Sequence, residues 1–298
     1  MHNYFKNKIF RTRQLVKKSL EDLQEVRQGI RRLEESLAPS EDGLPAWSAS
    51  VQESALRVLS LLKPHSLKGL EKVRLGAEGD GGYVVPADWH RVSRLVSLGI
   101  GPENTFDLAF AKAGISVEAF DHTIHALPEE HPKIVWRKKK ISFGEKNQTA
   151  SCNLNDVLPA AGVPGEVALK TDIEGWEYPV LLDCPEEKLR CLRFLVGEFH
   201  DFGSLLGTNR AHTLEATFAK LHKHFAVIHL HGNNADHVRV LGGMLVPNLM
   251  EITWVNRSLY SLEPFSGAFP TALDRPNDPQ RCEIWLGGFD YSPKLRLP

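Results

Sequence analysis

Two glycines and an aspartate lie at the ends of neighbouring predicted strands. The apolar run 94–100 leads into Gly99 and Gly101, and a helical pattern follows. A strand, a glycine turn and a helix let backbone approach a ligand closely and present a helix N-terminus to it. Asp121 ends the next strand, where a carboxylate accepts hydrogen bonds from both hydroxyls of a ribose. The alternatives are a plain turn at the glycines and a helix cap at Asp121.

Acids and histidines end the fourth, fifth and sixth predicted strands. Ligands of open α/β sheets bind beyond the carboxyl ends of the strands, so we expect these side chains to lie together. The alternative for each residue is a local hydrogen bond or a helix cap. The fourth strand ends in Asp172 and Glu174, the fifth in Glu198 and His200, and the sixth in His229 and His231.

The elements that position these residues alternate between strand and helix from about residue 50 onward. Nearly continuous apolar strands with intervening helices predict a Rossmann-like, doubly wound sheet of seven mostly parallel strands. The last strand has no helical crossover before it, so we expect it to pair antiparallel. The predicted strands are 94–100, 116–121, 134–142, 167–172, 193–199, 226–231 and 250–257, and the helices lie near 51–62, 104–113, 151–161, 176–183 and 208–224.

The first 45 residues have a different pattern from the rest. Apolar residues recur every seven positions at Ile9, Val16, Leu23, Ile30 and Leu37, and Pro39, Gly43 and Pro45 then form a linker. This spacing predicts a coiled-coil helix that joins copies of the chain through residues 9–37. The alternative, which we favour less, is a helix that lies on an anionic membrane surface, because its first charged residues are all basic. Residues 46–298 are then one domain.

Composition excludes several classes of protein. The 36 basic and 37 acidic residues give a net charge of −1, which argues against nucleic acid as the partner. No apolar run reaches the roughly 20 residues that span a bilayer. The four cysteines show no CxxC spacing, so neither a structural zinc site nor a disulfide framework is expected. The chain starts without the apolar core of a secretory signal, so we expect a cytoplasmic protein.

Two segments resemble known methyltransferases. VSLGIGPENTFDLAFAKAGISVEAFDH resembles the opening of a class I S-adenosylmethionine-dependent methyltransferase, and LKTDIEGWEYPVL resembles the K-x-D-I-E-G-x-E signature of the FkbM-type family. GDGGYV, EFH and VPNLMEITWV resemble further blocks, so the resemblance covers about residues 70–260. The chain departs from the family in its first loop, which reads S-L-G-I-G-P-E instead of the commoner D-V-G-A-N-x-G.

The resemblance implies S-adenosylmethionine as cofactor and O-methylation of a hydroxyl, on a small molecule or on a sugar or glycan intermediate. It also implies a role for each matching residue. Gly99, Gly101 and Glu103 would line the methionine end, Asp121 would bind the ribose, and His122 and Ser142 would lie at the adenine. Asp80, Gly81, Gly82 and Tyr83 would close over the cofactor.

Methyl transfer to a hydroxyl benefits from a cation or a base that takes up the charge of the departing proton. We expect a divalent metal held by Asp172, Glu198 and His231, with His200 as the alternative to His231. Mixed oxygen and imidazole ligands favour manganese, iron or zinc over magnesium. The metal-free alternative makes His200 or His231 the general base.

Two rival functions remain open at this point. A nicotinamide-dependent oxidoreductase also uses a G-x-G turn and an acid such as Asp121, but this chain lacks the third glycine of that fingerprint. A non-catalytic methyltransferase-like scaffold in glycan assembly is the other rival, and the retained acids and histidines count against it.

Overall fold

The computed structural model describes residues 48–144, 149–159, 163–206 and 208–291. The predicted coiled-coil helix and its linker lie outside these residues. Among the described residues, no helix has the length and apolar character needed to cross a membrane.

Short helices and strands alternate along the described chain. The helices are α1 (Ala49–Ser60), α2 (Thr105–Lys112), α3 (Leu154–Val157), α4 (Glu177–Asp183), α5 (Glu186–Leu189) and α6 (Thr208–His222). The strands are β1 (His65–Leu67), β2 (Lys72–Leu75), β3 (Tyr83–Pro86), β4 (Arg94–Leu98), β5 (Ser116–Phe120), β6 (Ile134–Arg137), β7 (Lys140–Ser142), β8 (Ser151–Asn153), β9 (Val167–Thr171), β10 (Leu192–Phe199), β11 (Phe225–Gly232), β12 (Val238–Leu241), β13 (Met244–Pro247), β14 (Met250–Asn256) and β15 (Leu262–Pro264).

Seven strands form the central sheet, in the order β6-β5-β4-β9-β10-β14-β11. The neighbouring strands β6, β5, β4, β9 and β10 pair parallel to one another, whereas β14 runs antiparallel to both β10 and β11. The chain passes from β11 to β14 through the β12–β13 hairpin and without a crossover helix, so it returns in the opposite direction. The predicted fold, a Rossmann-like sheet with an antiparallel last strand, is confirmed.

Two of the predicted elements are wrong in detail. The predicted strand 134–142 is two strands, because the chain turns after Arg137, where the Lys139 amide donates to the Arg137 carbonyl at 2.7 Å. The second piece, β7, leaves the central sheet and pairs with β8. The predicted helix 151–161 therefore begins as a strand, and α3 starts only where the Asn153 side chain accepts from the Asn155 amide.

Helices cover both faces of the sheet. Successive side chains of β4 alternate between two apolar cores: Leu98 packs in the core that also contains buried residues of α1, α4 and α6. Leu95 packs in the other core, against Phe106 and Phe110 of α2. With both faces buried, the carboxyl edge of the sheet is where polar side chains of these strands meet solvent.

Candidate active site

A cavity of about 430 Å³ opens at the carboxyl edge of β4, β5, β9 and β10. Its volume lies within the range of small-molecule sites. Seven of the ten residues predicted to bind the cofactor line it, namely Asp80, Gly81, Gly99, Gly101, Glu103, Asp121 and His122. Asp172, Glu174 and Glu198 line it as well. The structure therefore brings the glycine turn and the acids of the later strands together.

The glycine turn needs its glycines for two different reasons. Gly99 has φ +79°, and a Cβ there would lie 1.8 Å from the Asp172 carbonyl oxygen, so the turn packs directly against the end of β9. Gly101 has φ +67°, and a Cβ there would meet nothing within 4 Å. The Lys170 ammonium donates to the Gly99 carbonyl at 2.6 Å and lies 3.7 Å from the Asp172 carboxylate. These contacts fix the turn and leave Gly101 beside open space.

Asp121 anchors this turn to β5. Its Oδ2 accepts from the backbone amides of Ile100 at 2.9 Å and Gly101 at 3.1 Å, and its Oδ1 accepts from the amide and hydroxyl of Thr123, both at 2.6 Å. Burial opposes the charge, but these hydrogen bonds outweigh it and lower the pKa of Asp121 to about 2. The helix-cap alternative does not describe this arrangement, because residues 121–133 form no helix, and the contact to a ribose stays a prediction.

Glu103 occupies the N-terminus of α2. Its Oε2 accepts from the Thr105 amide at 3.0 Å and from the Thr105 hydroxyl. A Cβ on Gly81 would lie 1.9 Å from Glu103 Oε1, so the turn that contains Asp80 and Gly81 lies against this carboxylate. The helix end that the sequence offers to an anion is thus already capped by a negative charge.

Three of the residues predicted to contact the cofactor, Gly82, Tyr83 and Ser142, do not line the cavity. Tyr83 is buried edge-on against Phe106, with ring centroids 5.2 Å apart, and its hydroxyl has no hydrogen-bond partner among the described residues. Ser142 turns away and donates to the Cys152 carbonyl at 3.4 Å. Its chain neighbours Lys140 and Ile141 line the cavity instead, because the chain bends before β7.

Glu177 holds together the loop between β9 and α4. Its side chain is fully buried, and its Oε1 accepts from the amides of Ile173 at 2.9 Å and Gly175 at 3.4 Å. The same oxygen lies 3.2 Å from His200 Nδ1. Glu174 sits in this loop with φ +56°, a strained conformation for a residue other than glycine. Sequence reasoning gave Glu177 no role, although its place in the D-I-E-G-W-E segment was the available signal.

Among the described residues, one group of side chains is close enough to hold a metal ion. Asp172, Glu174 and His200 each offer a ligand atom, and these atoms lie within 4.8 Å of one another. The predicted set of Asp172, Glu198 and His231 does not come together. In register along the sheet, Glu251 of β14 lies opposite both Glu198 and His231. The inserted antiparallel strand therefore separates His231 from Glu198.

The histidines of β11 have partners elsewhere. His231 Nε2 lies 2.9 Å from Glu283 and its Nδ1 lies 3.2 Å from Glu251. His229 Nε2 lies 2.7 Å from Asp274, and both side chains are buried. His229 and His231 therefore fit the alternative considered for each histidine, a local hydrogen-bond partner.

The positive charge of His200 and of His231 argues against either residue as the general base. Burial by itself lowers the pKa of His200, but the hydrogen bond to Glu177 and the charges of Glu177, Glu198 and Asp172 outweigh it and raise the pKa to about 9. In the same way, Glu251 outweighs burial and raises the pKa of His231 to about 9. At neutral pH both rings hold a proton, whereas a general base must be free to accept one. Burial, together with Asp172, Glu251 and Asp80, raises the pKa of Glu198.

The charge on His231 makes the stability of the fold depend on pH. Because its pKa is raised, its contribution is fully present below about pH 6.5 and is lost as the pH rises through about 9. We expect the free energy of unfolding to fall by on the order of 3 kcal/mol over this window from this residue. Urea unfolding between pH 6 and 10 measures it. His231→Gln is expected to remove much of the slope, whereas His90→Gln, at an exposed position, leaves it. An equal slope in the parent and the His231 variant would contradict the assignment.

No family model and no curated protein matches the sequence. Three solved structures resemble the fold. A TehB-like S-adenosylmethionine-dependent methyltransferase of Corynebacterium glutamicum is 12% identical, over 56% of this chain and 82% of its own, with a TM-score of 0.34. The fibrillarin pre-rRNA processing protein of Methanococcus jannaschii is 10% identical, over 70% and 76%, with a TM-score of 0.34. A proposed O-methyltransferase of Klebsiella pneumoniae is 9% identical, over 76% and 95%, with a TM-score of 0.30. Likenesses this distant decide neither the family nor the activity of this chain.

Proposed function

We propose that the chain is an S-adenosylmethionine-dependent O-methyltransferase that acts on a hydroxyl of a sugar or glycan intermediate. The negative charge beside the glycine turn is the observation that supports S-adenosylmethionine as the cofactor. Asp80, Glu103, Asp172, Glu174 and Glu198 all line the cavity there. The sulfonium and ammonium groups of S-adenosylmethionine are attracted to such a wall, whereas the pyrophosphate of a nicotinamide dinucleotide is repelled. The sugar acceptor is what the resemblance of the D-I-E-G segment implies.

The capped helix counts against the oxidoreductase for the same reason. A dinucleotide places its pyrophosphate at the N-terminus of the helix after the glycine turn. Here the Glu103 carboxylate already accepts from the Thr105 amide at that end. A phosphate would have to displace this side chain, while the amine of a methionine moiety gains a partner.

When bound, S-adenosylmethionine supplies a methyl group activated by its sulfonium. The chain's own residues then have two tasks: to hold the acceptor oxygen in line and to take its proton. We assign the role of general base, which takes the proton of the hydroxyl, to Glu198. Its side chain lines the cavity and accepts a hydrogen bond from Asn233 Nδ2 at 3.0 Å. Burial and the neighbouring acids raise its pKa, and the positive charge of the bound cofactor would lower it again, so that the carboxylate is free to accept the proton. Lys170 and Glu177 are positioning residues, because they fix the two loops that carry Gly99 and Asp172.

We further propose that a divalent metal binds Asp172, Glu174 and His200 in place of the set predicted from sequence. The hydrogen bond between Glu177 and His200 Nδ1 orients the ring so that Nε2 faces Glu174, at 3.5 Å. A metal bound there would displace the proton that the ring otherwise carries at neutral pH. A cation there would bind the acceptor oxygen and make its proton more acidic. The donor set of two carboxylates and one imidazole suits manganese, iron or zinc.

Titration of the protein with Mn²⁺ alone tests the proposed metal site, with electron paramagnetic resonance used to measure the ion that stays free in solution. We expect one site, weakened about tenfold or more in Asp172→Asn because one of three ligands loses its charge. Asp201→Asn is the matched control, since Asp201 is an exposed acid next to His200 in the chain. Absence of Mn²⁺ binding, or equal weakening in both variants, would leave the metal-free carboxylate as the base.

Calorimetric titration with S-adenosylmethionine and with NAD⁺ tests the cofactor. We expect S-adenosylmethionine to bind with a dissociation constant on the order of micromolar, and NAD⁺ to show no measurable heat. Tighter binding of NAD⁺ would establish the oxidoreductase. Binding of neither would favour the non-catalytic scaffold.

A further inference from the structure

The basic run from Arg137 to Lys140 is divided by the fold into two outward and two inward residues. Arg137 Nε lies 2.7 Å from Glu118, and Lys138 Nζ lies 3.2 Å from His125 Nδ1, both at exposed positions. Lys139 and Lys140 are half-buried and line the cavity. The bend between β6 and β7 thus brings both lysines to the wall of the cavity.

These two ammonium groups have no anionic partner in the described part of the chain. No carboxylate there lies within 4.0 Å of Lys139 or Lys140. The third lysine of the cavity, Lys170, differs because it is bonded to the Gly99 carbonyl and lies near Asp172. Half-buried cations without a counter-ion attract an anionic group of a ligand, because solvent screens such charges less than exposed ones.

Two partly exposed aromatic rings stand at the same rim. Trp176 is 40% exposed and Phe143 is 38% exposed, and their ring centroids are 5.6 Å apart. Lys140 Nζ lies 4.0 Å from the centre of the Trp176 ring. A sugar ring presents polarised C–H groups, and the electron-rich face of an aromatic ring attracts such groups as it attracts a cation.

The acids that line the same cavity set the orientation of a bound ligand. An anionic group is repelled from Asp172, Glu174 and Glu198 and is drawn to Lys139 and Lys140. The uncharged hydroxyls of the same molecule then face the acids. An acceptor with an anion at one end and hydroxyls at the other fits both the lysines and the acids.

From this arrangement we propose that the acceptor is an anionic carbohydrate. Its carboxylate or phosphate binds Lys139 and Lys140, and its ring packs against Trp176. That this ligand is the methyl acceptor rests on the proposed function, whereas the subsite itself rests on the lysines and the tryptophan alone.

Nuclear magnetic resonance titration of the protein, followed at the indole N–H of Trp176, tests the subsite. The probes are glucuronate, glucose 6-phosphate, neutral glucose and glycerol 3-phosphate. We expect the two charged sugars to bind about tenfold or more tightly than glucose, because charge-assisted bonds are the stronger ones. Glycerol 3-phosphate, which has the anion but no ring, is expected to bind more weakly than glucose 6-phosphate. Equal affinity for the two phosphates would overturn the carbohydrate part of the proposal.

Matched charge variants complete the test. Lys139→Gln combined with Lys140→Gln is expected to remove the preference for charged sugars, whereas Arg137→Gln combined with Lys138→Gln, the outward pair, keeps it. Equal losses in both proteins would overturn the proposal, because they would report only overall charge. S-adenosylmethionine affinity is measured beside each titration. If the parent fails to bind it but still prefers charged sugars, the proposed function is wrong and the subsite stands. If the double variant of Lys139 and Lys140 keeps sugar binding but loses the cofactor, the subsite is wrong.

Discussion

Gly101→Val is expected to weaken S-adenosylmethionine binding about 100-fold or more while the protein still folds. Gly101 has φ +67°, and a Cβ there points into space with no atom within 4 Å. A branched side chain therefore causes no internal clash, but it fills the cavity where a ligand must approach the backbone. The backbone strain costs about 1–2 kcal/mol of stability. Calorimetric titration of the folded variant measures the effect.

Gly69→Val is the matched control for this variant. Gly69 has φ +73° and also has no atom within 4 Å of an added Cβ, but it lies in the turn between β1 and β2 and does not line the cavity. Its variant should lose a similar amount of stability and keep its affinity for the cofactor. Equal affinities in the two variants would show that the ligand does not lie against Gly101.

Glu177→Gln is expected to produce the second large effect, at His200 and in the loop after β9. The change removes the buried charge that faces His200 Nδ1, so the pKa of His200 should fall by about one unit or more from its value of about 9. Loss of this partner for a buried charge should also cost about 3 kcal/mol of stability. Titration of the His200 ring by nuclear magnetic resonance follows the pKa, and urea unfolding follows the stability.

Glu174→Gln is the control that shows whether removal of any carboxylate near His200 changes its pKa as much as removal of the Glu177 carboxylate does. Glu174 Oε2 lies 3.5 Å from His200 Nε2, but the Glu174 side chain is 87% exposed, so solvent screens its charge. We expect a smaller change in the pKa of His200 than Glu177→Gln gives. Equal changes would mean that Glu177 does not have the special positioning role assigned to it.

The sequence predicts the sheet because its strands are apolar throughout and buried on both faces. It also predicts the cavity edge, since Gly99, Gly101 and Asp121 follow consecutive strands of the parallel part. It predicts the antiparallel last strand from the missing crossover. These are local patterns, and local patterns decide elements of this kind.

Contacts set by the pairing order of the strands could not be predicted. The alternation of elements does not show that β14 enters between β10 and β11, and that insertion separates His231 from Glu198. The contact from Glu177 to His200 joins two loops that are 23 positions apart. The two inward lysines likewise depend on the bend that splits the predicted strand 134–142. Each of these contacts depends on how the elements pack in three dimensions, which the local sequence pattern does not show.

Backbone hydrogen exchange with and without S-adenosylmethionine tests the central claim most directly, because it reports both whether the cofactor binds and where. The claim is that the cofactor lies on the glycine turn beside the acidic wall. It predicts slower exchange in peptides that cover residues 98–104 and 119–124, no change in α6, and no change anywhere on addition of NAD⁺. Protection of the same two peptides by NAD⁺, or unchanged exchange in both with saturating S-adenosylmethionine, would contradict it.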